Sequence, residues 1–170
     1  MIEISKANDL AQLEQVRKLL HAFIDWLRQR YVADLQIIDD YFDVKAFEEE
    51  LMSLPGEYSP PRGRLLLALS DGQAAGCVAL REIDERTCEM KRLFVDPQFH
   101  GKGIGRLLCE ELIADARSIG YLSMRLDTGV KQTEAQSLYL SMGFKKIKAY
   151  YEVPKRLEES LVFMELNLNL

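Results

Sequence analysis

The stretch of sequence that decides the fold runs from residue 88 to residue 106 and reads CEMKRLFVDPQFHGKGIGR. Its first part, Cys88–Val95, follows a turn and is predicted to be the third strand of a meander. Three glycines then alternate with other residues, at Gly101, Gly103 and Gly105. Apolar residues at helical spacing follow, at positions 104, 107, 108 and 112. The pattern predicts a strand, a glycine loop and a helix in direct succession.

A glycine loop between a strand and a helix is a candidate anion site. Glycines let the backbone turn sharply, and the first amides of a helix have no acceptor within the helix. Lys102 and Arg106 add positive charge there. The loop lacks the third glycine of a dinucleotide fingerprint, since that position is Arg106, and it lacks the glycine of a Walker loop, since that position is Asp96. The loop alone is equally compatible with a turn that binds nothing.

The elements predicted around this stretch alternate between strands and helices. Strands are expected at 2–4, 64–70, 74–83, 88–95, 121–127, 146–153 and 161–168, and helices at 10–27, 43–52, 103–119 and 133–142. A crossover helix lets the strands on either side of it run parallel, whereas the others can pair antiparallel. The expected fold is α/β (mixed α+β): a mixed, largely antiparallel sheet of about seven strands with helices on both faces, in the order β-α-α-β-β-β-α-β-α-β-β.

The composition narrows the class of protein. The chain has 170 residues, 48% of them hydrophobic, with 22 basic and 27 acidic side chains and a net charge of −5. We expect one domain over residues 1–170, with no signal peptide, no membrane helix and no nucleic-acid partner. Cys77, Cys88 and Cys109 form no CxxC pair and only two histidines accompany them, so we expect reduced thiols, no metal site and a cytoplasmic location.

Two segments carry a resemblance to a known family. Leu93-Phe94-Val95-Asp96-Pro97, followed by the glycine loop, resembles the acyl-CoA-binding segment of the GNAT superfamily of N-acetyltransferases. Ala135, Leu138-Tyr139 and Gly143-Phe144 resemble its second cofactor segment. The predicted element order agrees with that family over nearly the whole chain. Two positions depart from the family pattern: His100 stands first in the Q/R-x-x-G-x-G/A loop, and Gln132 stands where many members carry Asn.

The resemblance implies an enzyme with acetyl-CoA as co-substrate and no metal. It implies an N-acetyltransferase that moves the acetyl group to a primary amine by direct attack of the amine on the thioester. The residues it assigns to acetyl-CoA binding are Leu93, Phe94, Val95, His100, Gly101, Lys102, Gly103, Ile104, Gly105, Arg106 and Gln132.

Catalysis of this reaction requires an acid for the leaving thiolate and a base for the amine. By resemblance Tyr139 is the acid, although it also lies on an apolar stripe that fits simple packing. Glu89 is the candidate base, directly or through a water molecule, and the alternative is a solvated glutamate at a strand end. Glu82, Asp127, Tyr150 and Tyr151 are competing candidates for the base.

The acceptor site is expected in the variable parts of the family, namely the first two helices, the loop between them and the last two strands. Residues 34–57 carry eight acidic side chains against one lysine. They form either a wall that attracts a cationic amine or a solvated helix face. We expect a small-molecule amine as acceptor. A protein lysine or N-terminal amine and a non-catalytic acyl-CoA-binding module are the alternatives, and a homodimer is compatible with the pattern.

Overall fold

A computed structural model describes residues 1–169, and its centre is one seven-stranded sheet. The strands are β1 (Ile2–Lys6), β2 (Arg64–Ser70), β3 (Gln73–Glu82), β4 (Thr87–Val95), β5 (Ser123–Gly129), β6 (Lys145–Ile147) and β7 (Leu161–Asn167). They lie in the order β1-β2-β3-β4-β5-β7-β6. Only β4 and β5 pair parallel, and a helix joins them. The predicted mixed, largely antiparallel sheet is confirmed.

Five helices cover this sheet, namely α1 (Leu10–Arg30), α2 (Gln36–Phe42), α3 (Val44–Met52), α4 (Ile104–Ile119) and α5 (Thr133–Ser141). Helix α1 begins with a capping box, in which the Gln12 amide donates to Asp9 Oδ1 at 2.8 Å and the Asp9 amide donates back to Gln12 Oε1. Helix α4 ends at Gly120, which adopts the left-handed conformation that suits glycine. No helix within residues 1–169 has both the length and the apolar character needed to cross a membrane.

The two faces of the sheet have separate hydrophobic cores. Along β2, Leu66 packs on the α4–α5 side and Leu67 on the α1–α3 side, as the alternation of a strand requires. Tyr139 of α5 belongs to the first core and Phe23 of α1 to the second. The three cysteines are buried, and burial raises the pKa of each thiol to about 12, so none is a nucleophile at neutral pH.

Two predicted elements differ from the structure. Helix α2 was not predicted. No glycine or proline marks its boundary with α3, and Asp43 alone lies between the two helices. The strand predicted at 146–153 is wrong beyond Ile147. Apolar and polar residues do alternate in this segment. However, the Tyr150 and Tyr151 hydroxyls donate to the carboxylates of Glu89 and Asp127, and the segment does not pair as a strand. Tertiary contacts therefore override the local preference in this segment.

The feature that positions the site is a split between β4 and β5. The two strands pair only at Thr87–Ser123, Cys88–Met124 and Glu89–Arg125, although β4 continues to Val95 and β5 to Gly129. A bulge opens the split, since the pairing of β4 with β3 shifts register between Lys91 and Phe94 and Arg92 adopts a positive φ of 62°. Beyond the bulge, the edge of β4 that faces β5 has no partner strand among the described residues.

Candidate active site

The glycine loop presents a row of free backbone donors. Gly101 and Gly103 have φ angles of 82° and 76°, and helix α4 begins immediately afterwards at Ile104. Within residues 1–169, no acceptor takes the amide hydrogens of positions 101 to 106. These donors and the positive end of the α4 dipole form a site for a phosphate or pyrophosphate.

The residues predicted to bind acetyl-CoA come together in one groove. Ten of the eleven line it, and Lys102 is the exception. The Lys102 ammonium instead lies 5.4 Å from the ring centroid of Phe99. Ala135 and Leu138 of α5 and Trp26 of α1 also line the groove. The backbone amide of Lys102 still belongs to the row of donors, so only its side chain departs from the prediction.

Two of the polar side chains in the groove are engaged with the protein itself. His100 Nε2 donates to the Val95 carbonyl at 2.8 Å, which holds the loop against the end of β4. Arg106 Nη2 donates to Ser141 Oγ at 2.6 Å and thereby joins α4 to α5. Both side chains therefore hold the walls of the groove in place.

An inner cavity at the split between β4 and β5 adjoins the groove. Phe23, Leu93 and Gln132 line both spaces. Gln132 Oε1 accepts the Gly129 amide at 2.8 Å, and Gln136 Nε2 donates to the Gly129 carbonyl at 2.9 Å. These two glutamines fix the turn from β5 to α5. Gln136 was not predicted as a site residue, because only its hydrogen bond to Gly129 distinguishes it from the other polar residues of α5.

Tyr139 lines the inner cavity and is only 5% exposed. Its ring packs on Phe144, with 5.6 Å between the centroids, so the predicted packing role is real. Its hydroxyl has no hydrogen-bond partner in the part of the chain that the structure describes. Burial, followed by the nearby Cys109 and Asp127, raises the pKa of Tyr139 well above 10. The phenol is thus a protonated donor beside the cavity.

Glu89 is not a solvated glutamate, and that alternative is wrong. Its side chain is buried, with Oε1 accepting from Arg81 Nε at 2.6 Å and Oε2 from the Tyr150 hydroxyl at 2.5 Å. It lines an outer cavity on the far side of the split, whereas Tyr139 lines the inner one. The structure therefore does not bring the predicted acid and the predicted base into the same cavity.

Asp127 is the carboxylate that the two cavities share. It lies on β5 and accepts hydrogen bonds from the hydroxyls of Tyr41, on α2, and Tyr151, the latter at 2.8 Å. Among residues 1–169, no lysine or arginine nitrogen lies within 4.0 Å of it. Its negative charge is thus stabilised by neutral phenols and is not neutralised.

A sequence model of the Acetyltransferase (GNAT) family matches residues 20–144, which include the whole groove. The chain belongs to the GNAT family. It is an N-acetyltransferase that uses acetyl-CoA, as the two sequence segments predicted. An uncharacterized N-acetyltransferase of Dictyostelium discoideum is 32% identical to it, over 92% of this chain and 95% of that relative.

Other relatives of this GNAT chain carry more specific names. The N-acetylaspartate synthetase of Danio rerio is 32% identical over 69% of this chain, which corresponds to 42% of that longer protein. Among solved structures, the PaiA N-acetyltransferase of Thermoplasma acidophilum in complex with coenzyme A has a TM-score of 0.71 at 21% identity, over 98% of this chain and 99% of that one. The structural likeness shows the same fold.

The acidic segment 34–57 of the GNAT chain is not an open acidic wall. Each of its carboxylates has a partner within 4.0 Å: Asp34 and Asp40 contact Arg156, Asp39 contacts Arg28, Asp43 accepts the Ala46 amide, Glu48 contacts His21, Glu49 contacts Lys45, Glu50 contacts Arg92 and Glu57 contacts Arg81. The solvated and paired helix face is the interpretation that agrees with these contacts.

Proposed function

We propose that this GNAT enzyme transfers the acetyl group of acetyl-CoA to the primary amine of a small molecule bound in the inner cavity. The observation that carries the proposal is that Leu93 and Gln132 line both the groove and the inner cavity, so the two spaces adjoin at these residues. Tyr139 also lines the inner cavity. In the proposal, the thioester lies on the groove side of Leu93 and Gln132 and meets an amine from the cavity side.

The residues of the groove fit acetyl-CoA in two ways. The free amides of positions 101 to 106 suit the pyrophosphate, because a helix N-terminus with unpaired amides favours anions. The unpartnered edge of β4 at Leu93–Val95 suits the amide-bearing pantetheine arm, which would add to it like a strand. In this proposal the side chains of Phe94, Ile104 and Gln132 line the groove, and Lys102 contributes its backbone.

The chemistry is a direct transfer. The amine nitrogen attacks the thioester carbon, a nitrogen–carbon bond forms and the carbon–sulfur bond breaks, with its electron pair going to sulfur. Tyr139 gives its hydroxyl proton to the leaving thiolate, and the proton that the amide nitrogen loses returns to Tyr139 through solvent. An alkylammonium must first lose one proton, because its pKa of about 10.4 leaves little free amine at neutral pH.

Two carboxylates compete to receive that first proton, and their surroundings favour Asp127 over Glu89. Glu89 is already bound by the Arg81 guanidinium and the Tyr150 hydroxyl. Asp127 has only phenol partners and lines the same cavity as Tyr139. A carboxylate whose charge is not neutralised attracts an ammonium group and accepts its proton more readily. In the proposal Asp127 is the base, and Glu89 holds Arg81 and Tyr150 in place.

A small acceptor is favoured because two segments cover the cavity. Tyr41 from α2 and Tyr151 from the segment after β6 both donate to Asp127. Arg156 Nε donates to Asp40 Oδ2 at 2.7 Å and joins the same two segments a second time. Such a cover suits a small molecule better than an extended peptide, which would need an open groove or a free strand edge. The name of a relative, N-acetylaspartate synthetase, also points to a small amine.

The test is release of free thiol from acetyl-CoA in the presence of a panel of small amines and of lysine-containing peptides. We expect turnover with small amines and a kcat about 100-fold lower in Tyr139→Phe. Tyr121→Phe is the matched control, because it removes another buried tyrosine hydroxyl, one that donates to the Arg62 carbonyl outside the groove and both cavities.

Three outcomes of this test would contradict the proposal. Peptides used more efficiently than every small amine would indicate a protein substrate. Full turnover by Tyr139→Phe would remove the acid. Tight binding of acetyl-CoA without any amine-dependent thiol release would indicate a non-catalytic acyl-CoA-binding module.

A further inference from the structure

Lys91 is a cation that lines both the inner and the outer cavity. It lies on β4 two residues after Glu89, so both side chains project from the α1–α3 face of the sheet. The Lys91 side chain is only 17% exposed. It lines both the inner cavity, with Tyr139, and the outer cavity, with Asp127. An acceptor that enters between β4 and β5 would therefore pass the ammonium group of Lys91.

The Lys91 ammonium has no committed partner among residues 1–169. The one carboxylate within 4.0 Å is that of Glu89, whose Oε1 lies at 4.0 Å, beyond hydrogen-bond distance. That same oxygen accepts from Arg81 at 2.6 Å. The neighbouring Arg92, by contrast, forms two hydrogen bonds with Glu50, at 2.9 and 3.0 Å. Lys91 is thus the cation of this cavity that the protein leaves without a hydrogen-bonded carboxylate.

A largely buried ammonium without a hydrogen-bonded carboxylate, such as that of Lys91, lowers the stability of the protein unless another interaction compensates for it. Burial lowers the pKa of Lys91, and repulsion from Arg92 and Arg81 lowers it further, against the attraction of Glu89 and Asp127. A buried ammonium without a hydrogen-bond acceptor is unfavourable, and an anion that entered the cavity would supply the acceptor. Asp127 is the counterpart, a carboxylate without a cation within 4.0 Å among the described residues. The cavity therefore holds an ammonium without a hydrogen-bonded carboxylate and a carboxylate whose hydrogen-bond partners are phenols and not cations.

We propose that Lys91 binds a carboxylate on the acceptor, so that the substrates of this enzyme are amino acids and related amino carboxylates. The proposal rests on the proposed function, because it places the acceptor ammonium near Asp127 and the acceptor carboxylate near Lys91. A lysine ammonium can form a charge-assisted hydrogen bond with a carboxylate oxygen of the acceptor. Lys91 is in this sense a specificity-determining residue.

The experiment compares each of several amino acids with its own α-carboxamide, which has nearly the same shape but no negative charge. The readout is the ratio of kcat/KM for the acid to kcat/KM for the carboxamide, from thiol release. The two amines differ in basicity, and comparing the ratio between protein variants cancels that difference. We expect Lys91→Met to lower the ratio at least about tenfold, the effect of losing a hydrogen bond to a charged group.

Two further variants make the result specific. Lys91→Arg keeps the positive charge, so it should hold the ratio within a few-fold of the wild-type value. Lys146→Met removes an exposed lysine on β6 and should leave the ratio and the activity unchanged. If Lys91 instead acted as a base, Lys91→Arg and Lys91→Met would both lose kcat with the carboxamides while the ratio stayed constant. That result would overturn the proposal.

A binding measurement separates this proposal from the proposed function. Calorimetry with the coenzyme A-saturated protein measures amino acid and carboxamide affinity without turnover. Binding of an amino acid about tenfold tighter than its carboxamide, lost in Lys91→Met, supports the role of Lys91 even if no thiol is released with any amine. Equal affinity for the two ligands, or a preference that persists in Lys91→Met, overturns it even if small amines are acetylated.

Discussion

The Arg92 guanidinium and the Glu50 carboxylate form a bidentate ion pair that ties β4 to α3, with Nε–Oε2 at 2.9 Å and Nη2–Oε1 at 3.0 Å. The pair lies at the bulge that opens the split, and the Arg92 side chain is only 10% exposed. The rings of Phe42 and Phe47 lie 5.2 and 5.4 Å from the guanidinium carbon. The pair thus holds the α2–α3 region against the strand that borders both cavities.

Glu50→Gln should lower the free energy of unfolding by about 3 kcal/mol at pH 7, because it leaves a buried guanidinium without a counterion. Burial opposes ionisation of Glu50, but the hydrogen bond and charge of Arg92 outweigh it and lower the pKa of Glu50. The stabilisation is therefore present above the unfolded-state pKa of about 4.5 and is lost as the pH falls through the folded-state pKa. Urea unfolding at several pH values measures this stabilisation.

Glu49→Gln is the control, because it removes an exposed carboxylate on the same helix. It should lower the free energy of unfolding by less than about 0.5 kcal/mol, and an equal loss in both variants would contradict the role of the pair.

Gly101→Ala should raise the KM for acetyl-CoA about tenfold, because a methyl group would project into the groove at a φ of 82°. Gly72→Ala is a close control. Its φ is 81°, a methyl group there also meets no atom within 4 Å, and it lies in the β2–β3 turn. Both variants carry the same backbone strain, and thermal unfolding should report similar losses of stability. A KM that rises equally in both would show that strain, and not the groove, is responsible.

The rate profile should show no loss of activity from ionisation of Tyr139 below pH 10. Burial raises the pKa of this phenol well above 10, so its proton-donating form persists as the pH rises. With a saturating amine, kcat should increase with pH as the ammonium loses its proton and should then reach a plateau. Tyr139→Phe should follow the same shape at a lower level. A fall in wild-type kcat with an apparent pKa below 10 that disappears in Tyr139→Phe would refute this expectation.

Asp127→Asn should reduce kcat/KM about 100-fold, the usual effect of losing a general base. Glu89→Gln should reduce it less and should lower stability more, since Glu89 is buried against the Arg81 guanidinium. The two variants are compared by thiol-release kinetics and urea unfolding in parallel. If Glu89→Gln causes the larger kinetic loss at unchanged stability, Glu89, the base predicted from the sequence, is the better choice.

The glycine loop and its groove could be predicted from the sequence because their parts are neighbours along the chain. Residues 93–106 form one strand end, one turn and one helix start, and local preferences decide all three. The chain brings Gln132 and α5 to the same groove through a single crossover. Ten of the eleven predicted residues therefore line it.

The inner cavity, where we propose that the acceptor binds, could not be predicted in the same way. Its shape depends on the bulge at Arg92 and on how far β5 diverges from β4, which no local pattern encodes. Tyr41 and Tyr151 reach Asp127 from segments 86 and 24 residues away. The one local signal was the Lys91-Arg92 pair. Because helices cover both faces of the sheet and side chains alternate along a strand, two adjacent cations place at least one charge on a covered face. The pair is visible in the sequence, but only the structure shows that Lys91 lines both cavities.

The split between β4 and β5 also has a consequence for the enzyme before any substrate arrives. A sheet that opens in its middle leaves main-chain groups of β4 in contact with water where a neighbouring strand would otherwise protect them. Their amide hydrogens should exchange with deuterium faster than those of β3 at the same depth, and an extended ligand in the split should slow that exchange. Under the proposed function, the substrates themselves would therefore complete the hydrogen bonding of this part of the sheet and make it more rigid.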